Sequence, residues 1–279
     1  MTSVVRWVEV HRLAVAGREA GIARDVGGRV GRVWLARSRF ADAARLAGLT
    51  LTLGEDAGAL YQLGWAKYAT GDRTAALECY GHALRLYRAA GDRGNEAGTL
   101  NNIGAVYRGL GESQRALEYY GQALPIQREV GNQAGEATTL NNIGLVHDDL
   151  GDQQRALEYY GQALPILREV GNRAGEATIL SNIGAVHDGL GEPRRALEYY
   201  GKALPIRREV GDRAGEAVTR YNVAMIYRAR GELGRAVAEL EQVVELDRQV
   251  GHPDLQSDTE MLHRVRQELA SSDPGRGSR

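Results

Sequence analysis

A block of forty residues that recurs along the chain is the strongest constraint on its fold. Residues 131–170 and 171–210 agree at thirty of forty positions, and residues 91–130 carry the same text. Residues 211–250 are a weaker copy and residues 51–90 a degenerate one. A fixed period of this length indicates a solenoid, in which each unit buries its apolar face only against its neighbours. Such stacks present long surfaces to other chains, so the period also favours a protein-binding function.

The composition argues against several other classes of protein. Charged residues make up 25% of the chain, but the net charge is only -1, so we expect no direct nucleic-acid partner. The single cysteine, Cys79, excludes an internal disulfide and fits a reducing compartment. No apolar run reaches the roughly 20 residues of a membrane span, and Arg6 and Glu9 interrupt the N-terminal apolar stretch. We therefore expect a cytoplasmic protein without membrane contact.

Each repeat has the pattern of two antiparallel helices. In residues 97–136, apolar residues recur at helical spacing, stop at Gly111, and resume until Gly131. Both glycines are expected to end helices in the left-handed conformation. The small residues Gly104 and Ala116 would let the two helices approach closely. The two stripes are Leu100, Ile103, Gly104 and Tyr107, then Ala116, Tyr120, Ala123 and Leu124.

The recurrence of these positions predicts the domain organisation. A leading helix is expected in residues 1–23, a capping helix in 251–270 and a disordered tail in 271–279. Between them lie six predicted repeats with the bounds 24–56, 57–96, 97–136, 137–176, 177–216 and 217–250.

The repeat text L-x2-[LI]-G-x2-Y followed by A-x3-Y resembles the tetratricopeptide repeat signature. The period of forty and the text G-[DN]-x-x-G-E-A-x-x-L-x-N-[IL]-G resemble its long-repeat branch. That branch includes kinesin light chain, Leu-Gly-Asn-type spindle adaptors and the arrays of bacterial STAND-type regulators. The resemblance implies an all-α solenoid of stacked antiparallel helix pairs that forms a right-handed superhelix. It also implies that the first helix of each pair lines a concave groove.

One groove-facing position is almost constantly an amide. It holds Asn102, Asn142, Asn182 and Asn222, with Gln62 upstream. An amide offers both a donor and an acceptor, so it can hold a peptide backbone of any sequence. The resemblance implies that role, because asparagine in this position contacts bound peptide in relatives such as kinesin light chain. The alternative is that these amides bond to the neighbouring repeat and serve packing.

Other groove positions vary and would set specificity. The candidates are Asn101 and Asn141, the apolar Leu145 and Met225, and a charged row of Arg108, Asp148, Asp188 and Arg228. Upstream, Tyr61 and Trp65 begin an aromatic stripe that continues to Tyr68 and would offer an anchoring site. The alternative is that the leading helix covers this stripe, with Trp7 as the contact.

The second helices of three repeats contain a residue that is unusual inside a helix. Proline lies deep inside three second helices, at Pro125, Pro165 and Pro205, each with glycine four residues before it. The prolines either set a kink or are copies carried by duplication.

The six histidines show no metal spacing, and no strand precedes the glycine-rich residues 27–31. We therefore predict no catalytic, metal or cofactor site.

Together these observations predict a non-enzymatic signalling adaptor. Its partner would be a peptide segment or helix of another protein, held in the concave groove. The alternative is the sensor part of a STAND-type signalling ATPase or transcription regulator, present as a separate or truncated chain. The sequence names neither the partner nor the oligomeric state.

Overall fold

A computed structural model describes residues 3–272, and within this range the chain forms fourteen α-helices and no strand. In chain order the helices are α1 Ser3–Ala16, α2 Ala20–Leu35, α3 Phe40–Leu51, α4 Ala57–Ala69, α5 Arg73–Ala90, α6 Arg93–Gly109, α7 Ser113–Glu129, α8 Gln133–Asp149, α9 Gln153–Glu169, α10 Arg173–Gly189, α11 Pro193–Glu209, α12 Arg213–Ala229, α13 Leu233–Val250 and α14 Leu255–Ser272. The predicted all-α class is confirmed. None of the described helices is long and apolar enough to cross a membrane.

The helices belong to two compact units, Met1–Asn142 and Ile143–Arg279. In the first unit α4 packs on α5 and α6 on α7, so that consecutive helices form pairs. The first helices also contact one another, because α2 meets α4 and α4 meets α6. In the second unit α10 pairs with α11 and α12 with α13, while α14 packs on α13. This is the packing of stacked antiparallel helix pairs.

The turns between helices repeat the same local chemistry. Gly111 and Gly131 have φ of 77° and 66°, the left-handed conformation that glycine adopts without a steric penalty. Asp92 caps α6, because its side chain accepts a hydrogen bond of 3.1 Å from the backbone N–H of Asn95. Glu112 stands at the N-cap position of α7, but its side chain makes no capping hydrogen bond. Its carboxylate instead pairs with Arg115 at 2.8 Å.

The helix bounds differ from the predicted segments at two places. Helix α2 begins at Ala20, inside the segment predicted as a leading helix, and α14 continues to Ser272. Residues 273–279 of the predicted tail lie outside the described residues. Helix α7 runs through Pro125 without interruption, as α9 and α11 do through their prolines. The six repeat boundaries themselves stay a prediction.

Candidate functional site

The predicted groove positions lie on the accessible side of the first helices. In α6, Leu100 and Ile103 are buried, whereas Asn101, Asn102 and Arg108 are half-buried. The same division recurs in the other first helices, where the half-buried positions include Asn141, Asn142, Leu145, Asp148, Asn182, Asn222 and Met225. In each unit this face combines amide, apolar and charged side chains, so it can contact both the backbone and the side chains of another chain.

The amide positions hold neighbouring helices together. Asn102 Nδ2 donates to the hydroxyl of Tyr61 at 2.9 Å and to that of Tyr80 at 3.5 Å, which ties α6 to α4 and α5. Burial raises the pKa of the Tyr61 hydroxyl, and the hydrogen bond from Asn102 partly opposes that shift. Asn142 Nδ2 donates to Asn101 Oδ1 at 3.1 Å. The geometry of these residues therefore supports the packing alternative, while their contact with a peptide stays a prediction.

Gln62 is buried between helices, although it also lines a cavity of the first unit. Its side chain is 5% exposed, and its Nε2 donates to the carbonyl oxygen of Gly28 at 2.9 Å. A Cβ on Gly31 would lie 1.9 Å from Gln62 Oε1, so only glycine leaves room for this amide. Gln62 therefore joins α4 to α2, and its contact with a peptide stays a prediction.

Aromatic side chains form a small open pocket in the first unit. Tyr61, Trp65, Tyr68, Tyr80, Asn102 and Ala105 line a cavity of about 180 Å³, which we call the aromatic pocket. The rings of Tyr61 and Trp65 meet edge to face with centroids 6.5 Å apart. Trp65 is 39% exposed at its rim. Trp7 does not line the pocket and lies instead beside Arg29, whose guanidinium is 5.9 Å from its ring centroid.

A larger cavity of about 590 Å³ adjoins the aromatic pocket and shares Tyr61 and Trp65 with it. Its other walls come from α2, the end of α5 and the start of α6, and they include Arg24, Asp56 and Asp92. Arg24 is engaged there, since its Nε lies 3.6 Å from Asp56 Oδ2. The aromatic rings are thus bordered by an apolar wall on one side and by paired charges on the other.

The charged row differs from the expectation at its C-terminal end. Arg228 forms a two-pronged ion pair with Glu268 of α14, with Nη2–Oε1 at 2.5 Å and Nε–Oε2 at 2.9 Å. Its guanidinium therefore holds α14 against α12, and its contact with a partner stays a prediction. Asp188 is exposed near the end of α10, and partial burial of its carboxyl raises its pKa.

A second pocket escaped the sequence analysis. In the second unit, Ala217, Val218, Tyr221, Asp247, His252, Asp254, Ser257 and Asp258 line a cavity of about 380 Å³, which we call the acidic pocket. The available signal was three aspartates within twelve residues at the junction of α13 and α14, without a lysine or arginine between Gly251 and Asp258. Among the described residues no group of histidine, cysteine and carboxylate side chains has the arrangement of a metal site.

The tetratricopeptide repeat family model matches residues 55–129, 95–169, 137–209 and 175–249, which together span more than half of the chain. The chain therefore belongs to the tetratricopeptide repeat family. No curated protein sequence matches it.

Solved structures of low sequence identity share the fold. The chain is similar to a chain of the APC/C hetero-tetramer Cut9–Hcn1, with a TM-score of 0.71, 17% identity, and coverage of 94% of this chain and 46% of that one. It is also similar to a Rap protein complexed with competence and sporulation factor (TM-score 0.66, 16% identity, 90% and 76% coverage). A third is a STAND protein with a tetratricopeptide repeat sensor from Pyrococcus horikoshii (TM-score 0.69, 14% identity, 93% and 42% coverage). The chain thus spans less than half the length of the first and third of these.

Proposed function

We propose that the protein is a non-catalytic, cytoplasmic interaction scaffold that binds a peptide segment or helix of a partner protein in a signalling assembly. The contact surface is the half-buried face of the first helices, with its amide, apolar and charged side chains. The fold family supports this role, since such repeats serve generally as protein-binding scaffolds. Two of the similar structures are complexes, Cut9–Hcn1 and a Rap protein with competence and sporulation factor.

The aromatic pocket is the observation that carries this proposal. Trp65 exposes a large ring beside Tyr61, and the cavity below it is bordered by the amide of Asn102. Exposed aromatic side chains that border a pocket are the residues that most often dominate binding free energy at protein interfaces. An apolar or aromatic side chain of the partner would occupy the pocket, while backbone contact by Asn101 and Asn102, whose amides also bond to neighbouring helices, stays a prediction.

The proposal is tested by selecting binders and then removing one ring. Peptides selected from a displayed library against the full chain are measured by fluorescence anisotropy against wild type, Trp65→Ala and Trp7→Ala. The two tryptophans are matched, being 39% and 41% exposed, but only Trp65 lines the pocket. We expect Trp65→Ala to weaken binding by about tenfold or more, or about 1.4 kcal/mol. Equal affinity in all three proteins, each shown folded by circular dichroism, would contradict the proposal.

A second candidate function is the sensor part of a STAND-type signalling ATPase or transcription regulator. This candidate is supported by the structural similarity to a STAND protein with a tetratricopeptide repeat sensor, which covers 93% of this chain. That similarity concerns the fold alone. The test is genetic: the reading frame that encodes this chain is inspected for a nucleotide-binding module, and co-purification with such a module is measured. If the reading frame encodes no nucleotide-binding module and none co-purifies with the chain, the sensor function is contradicted and the scaffold function remains.

A further inference from the structure

Asp247 is buried in the second unit without a cation to neutralise it. It lies in the last turn of α13, its side chain is 1% exposed, and its Oδ2 has no hydrogen-bond partner among the described residues. A buried carboxylate without a partner is costly, and the C-terminal end of a helix dipole adds further repulsion. Asp247 lines the acidic pocket, so its position indicates a missing positive group.

The surroundings of Asp247 add negative charge. Asp254 and Asp258 line the same pocket. Burial of Asp258, followed by its hydrogen bond to Asp247 and the charge of Asp247, raises the pKa of Asp258 to about 6. No lysine or arginine within residues 3–272 forms an ion pair with any of the three. Two arginines of α13 and α14 are paired with other carboxylates, since Arg248 pairs with Glu245 and Arg266 with Glu241.

His252 is the nearby basic side chain of the pocket, but it makes no close ion pair with the aspartates. Its Nδ1 lies 3.9 Å from Asp247 Oδ1 and 3.7 Å from Asp254 Oδ2. The same Nδ1 accepts a hydrogen bond of 3.3 Å from the backbone N–H of Asp254. Both distances to the carboxylate oxygens exceed the usual length of a hydrogen bond, so this edge of the ring makes no hydrogen bond to the aspartates.

The preceding repeat shows how the same position is neutralised elsewhere. Forty residues before Asp247 lies Arg207, which is also buried. Its Nη1 pairs with Asp212, and its Nη2 donates to Ser181 Oγ at 3.3 Å. The position thus holds a cation among polar groups in one repeat and an anion among carboxylates in the next. Only the second arrangement calls for a group from outside.

The other walls of the acidic pocket fit the stem of a long cationic side chain. Val218 is exposed, and with Ala217 it gives an apolar wall, while Tyr221 offers an aromatic ring. Lysine and arginine bury their methylene stems on apolar surface, and their charged ends are attracted to aromatic faces and carboxylates. The volume of about 380 Å³ lies within the range of small-ligand sites.

We propose that the acidic pocket binds the ammonium or guanidinium group of a lysine or arginine side chain of a partner protein, with Asp247 and Asp258 as its counter-ions. This inference rests on the proposed interaction role only for the source of the cation. The pocket lies in the second unit and shares no residue with the aromatic pocket.

The test uses single-residue probes on the full chain at pH 7.5, above the pKa of about 6 of Asp258. The methyl NMR signals of Ala217 and Val218 are followed during titration with N-acetyl-arginine methylamide and N-acetyl-lysine methylamide. N-acetyl-norleucine methylamide is the neutral control, and spermidine tests for a free polyamine. We expect saturable shifts with the two cationic amino-acid probes. Equal shifts with norleucine, or shifts with spermidine alone, would overturn the proposal.

Two variants separate binding from folding. Asp247→Asn removes the buried charge at constant shape, so we expect at least tenfold weaker binding of the arginine probe together with a higher melting temperature. Asp258→Asn should weaken binding by at least fivefold and serves if the first variant does not fold. Glu198→Gln, an exposed charge change on α11 of the same unit, is the matched control and should leave the probe affinity unchanged. Unchanged affinity for the arginine probe in a folded Asp247→Asn or Asp258→Asn protein would overturn the proposal. In either case, the binding of selected peptides at Trp65 should not change, so the two proposals fail independently.

Discussion

Gly104 and Tyr120 pack so closely that a Cβ on Gly104 would lie 2.6 Å from Tyr120 Cε1. Tyr120 is fully buried, and its ring extends from α7 and packs against α6 of the same helix pair. The relationship recurs between Gly144 and Tyr160, again at 2.6 Å. The glycine of the repeat text is therefore explained by the ring that lies against it.

Gly104→Ala should destabilise the protein, since the buried ring must shift to admit a methyl group. Overpacking of this kind costs about 1–3 kcal/mol. Gly98→Ala in the same helix is the matched control, because a Cβ there meets nothing within 4 Å. That control should stabilise α6 by about 0.5–1 kcal/mol through helix propensity. Urea unfolding of both variants gives the two free energies, and a shift of the same sign in both would contradict this account.

The hydrogen bond from Asn102 to Tyr61 should contribute to stability as a pair. Asn102→Ala leaves the Tyr61 hydroxyl without this donor, whereas Tyr61→Phe removes the hydroxyl alone. A double-mutant cycle should give a coupling free energy of about 0.5–1.5 kcal/mol in urea unfolding. Asn95→Ala, which removes an exposed amide bonded to Asp92, is the control and should show no coupling to Tyr61→Phe. A coupling near zero in the Asn102 cycle would mean that this amide is available to a ligand.

Glu96 should make the stability depend on pH in the acid range. Burial raises the pKa of its carboxyl, but hydrogen bonds from Arg88 at 2.9 Å and Arg93 at 2.6 Å outweigh burial, and the net shift is downward. A carboxyl with a lowered folded pKa stabilises the protein above its unfolded pKa, about 4.3, and loses that contribution as the pH falls through the folded value.

Glu96→Gln tests this contribution. At pH 7 the variant should be less stable by about 1–3 kcal/mol, because hydrogen bonds to charged groups are lost. Near pH 3 the difference from wild type should shrink. Melting temperatures across this range measure it, and Glu118→Gln on an exposed helix face is the control. A difference that stays constant with pH would assign the effect to shape alone.

Asp258 should produce the opposite slope. Burial and the neighbouring Asp247, then Asp254, raise its pKa to about 6, while His252 lowers it; Tyr221 of α12 is the other ionisable side chain of the pocket. The folded state then holds its proton more tightly than the unfolded state, so stability falls as the pH rises from about 4 to 6. After solvent screening the loss is on the order of 1–2 kcal/mol.

Asp258→Asn should remove that loss. Urea unfolding at pH 4, 5, 6 and 7 compares the variant with wild type, and the variant should gain relative stability across the window. The control is Asp25→Asn, an exposed aspartate in α2 of the first unit. Parallel pH profiles for Asp258→Asn and wild type would show that this carboxyl is not strained in the folded protein.

The amino-acid sequence alone determined the parts of the structure that depend on short-range spacing. The forty-residue period predicted the helix pairs. Gly111 and Gly131 predicted the turns between helices, and Gly104 predicted the close approach of two helices. These features follow from helix periodicity and from the conformations open to glycine, which act within a few residues. The accessible side of the first helices, with Asn101 and Asn102, was predictable for the same reason.

Only the tertiary structure decided which polar atoms meet across helices. In the structure Gln62 donates a hydrogen bond to the carbonyl of Gly28, and Asn102 donates one to the hydroxyl of Tyr61. Arg228 forms an ion pair with Glu268, and Asp247 is buried without a cation. Most of these partners lie more than thirty residues apart in the chain. Which atoms come within about 3 Å depends on how side-chain rotamers pack between neighbouring helices, and the spacing of residue types along one helix does not contain that information.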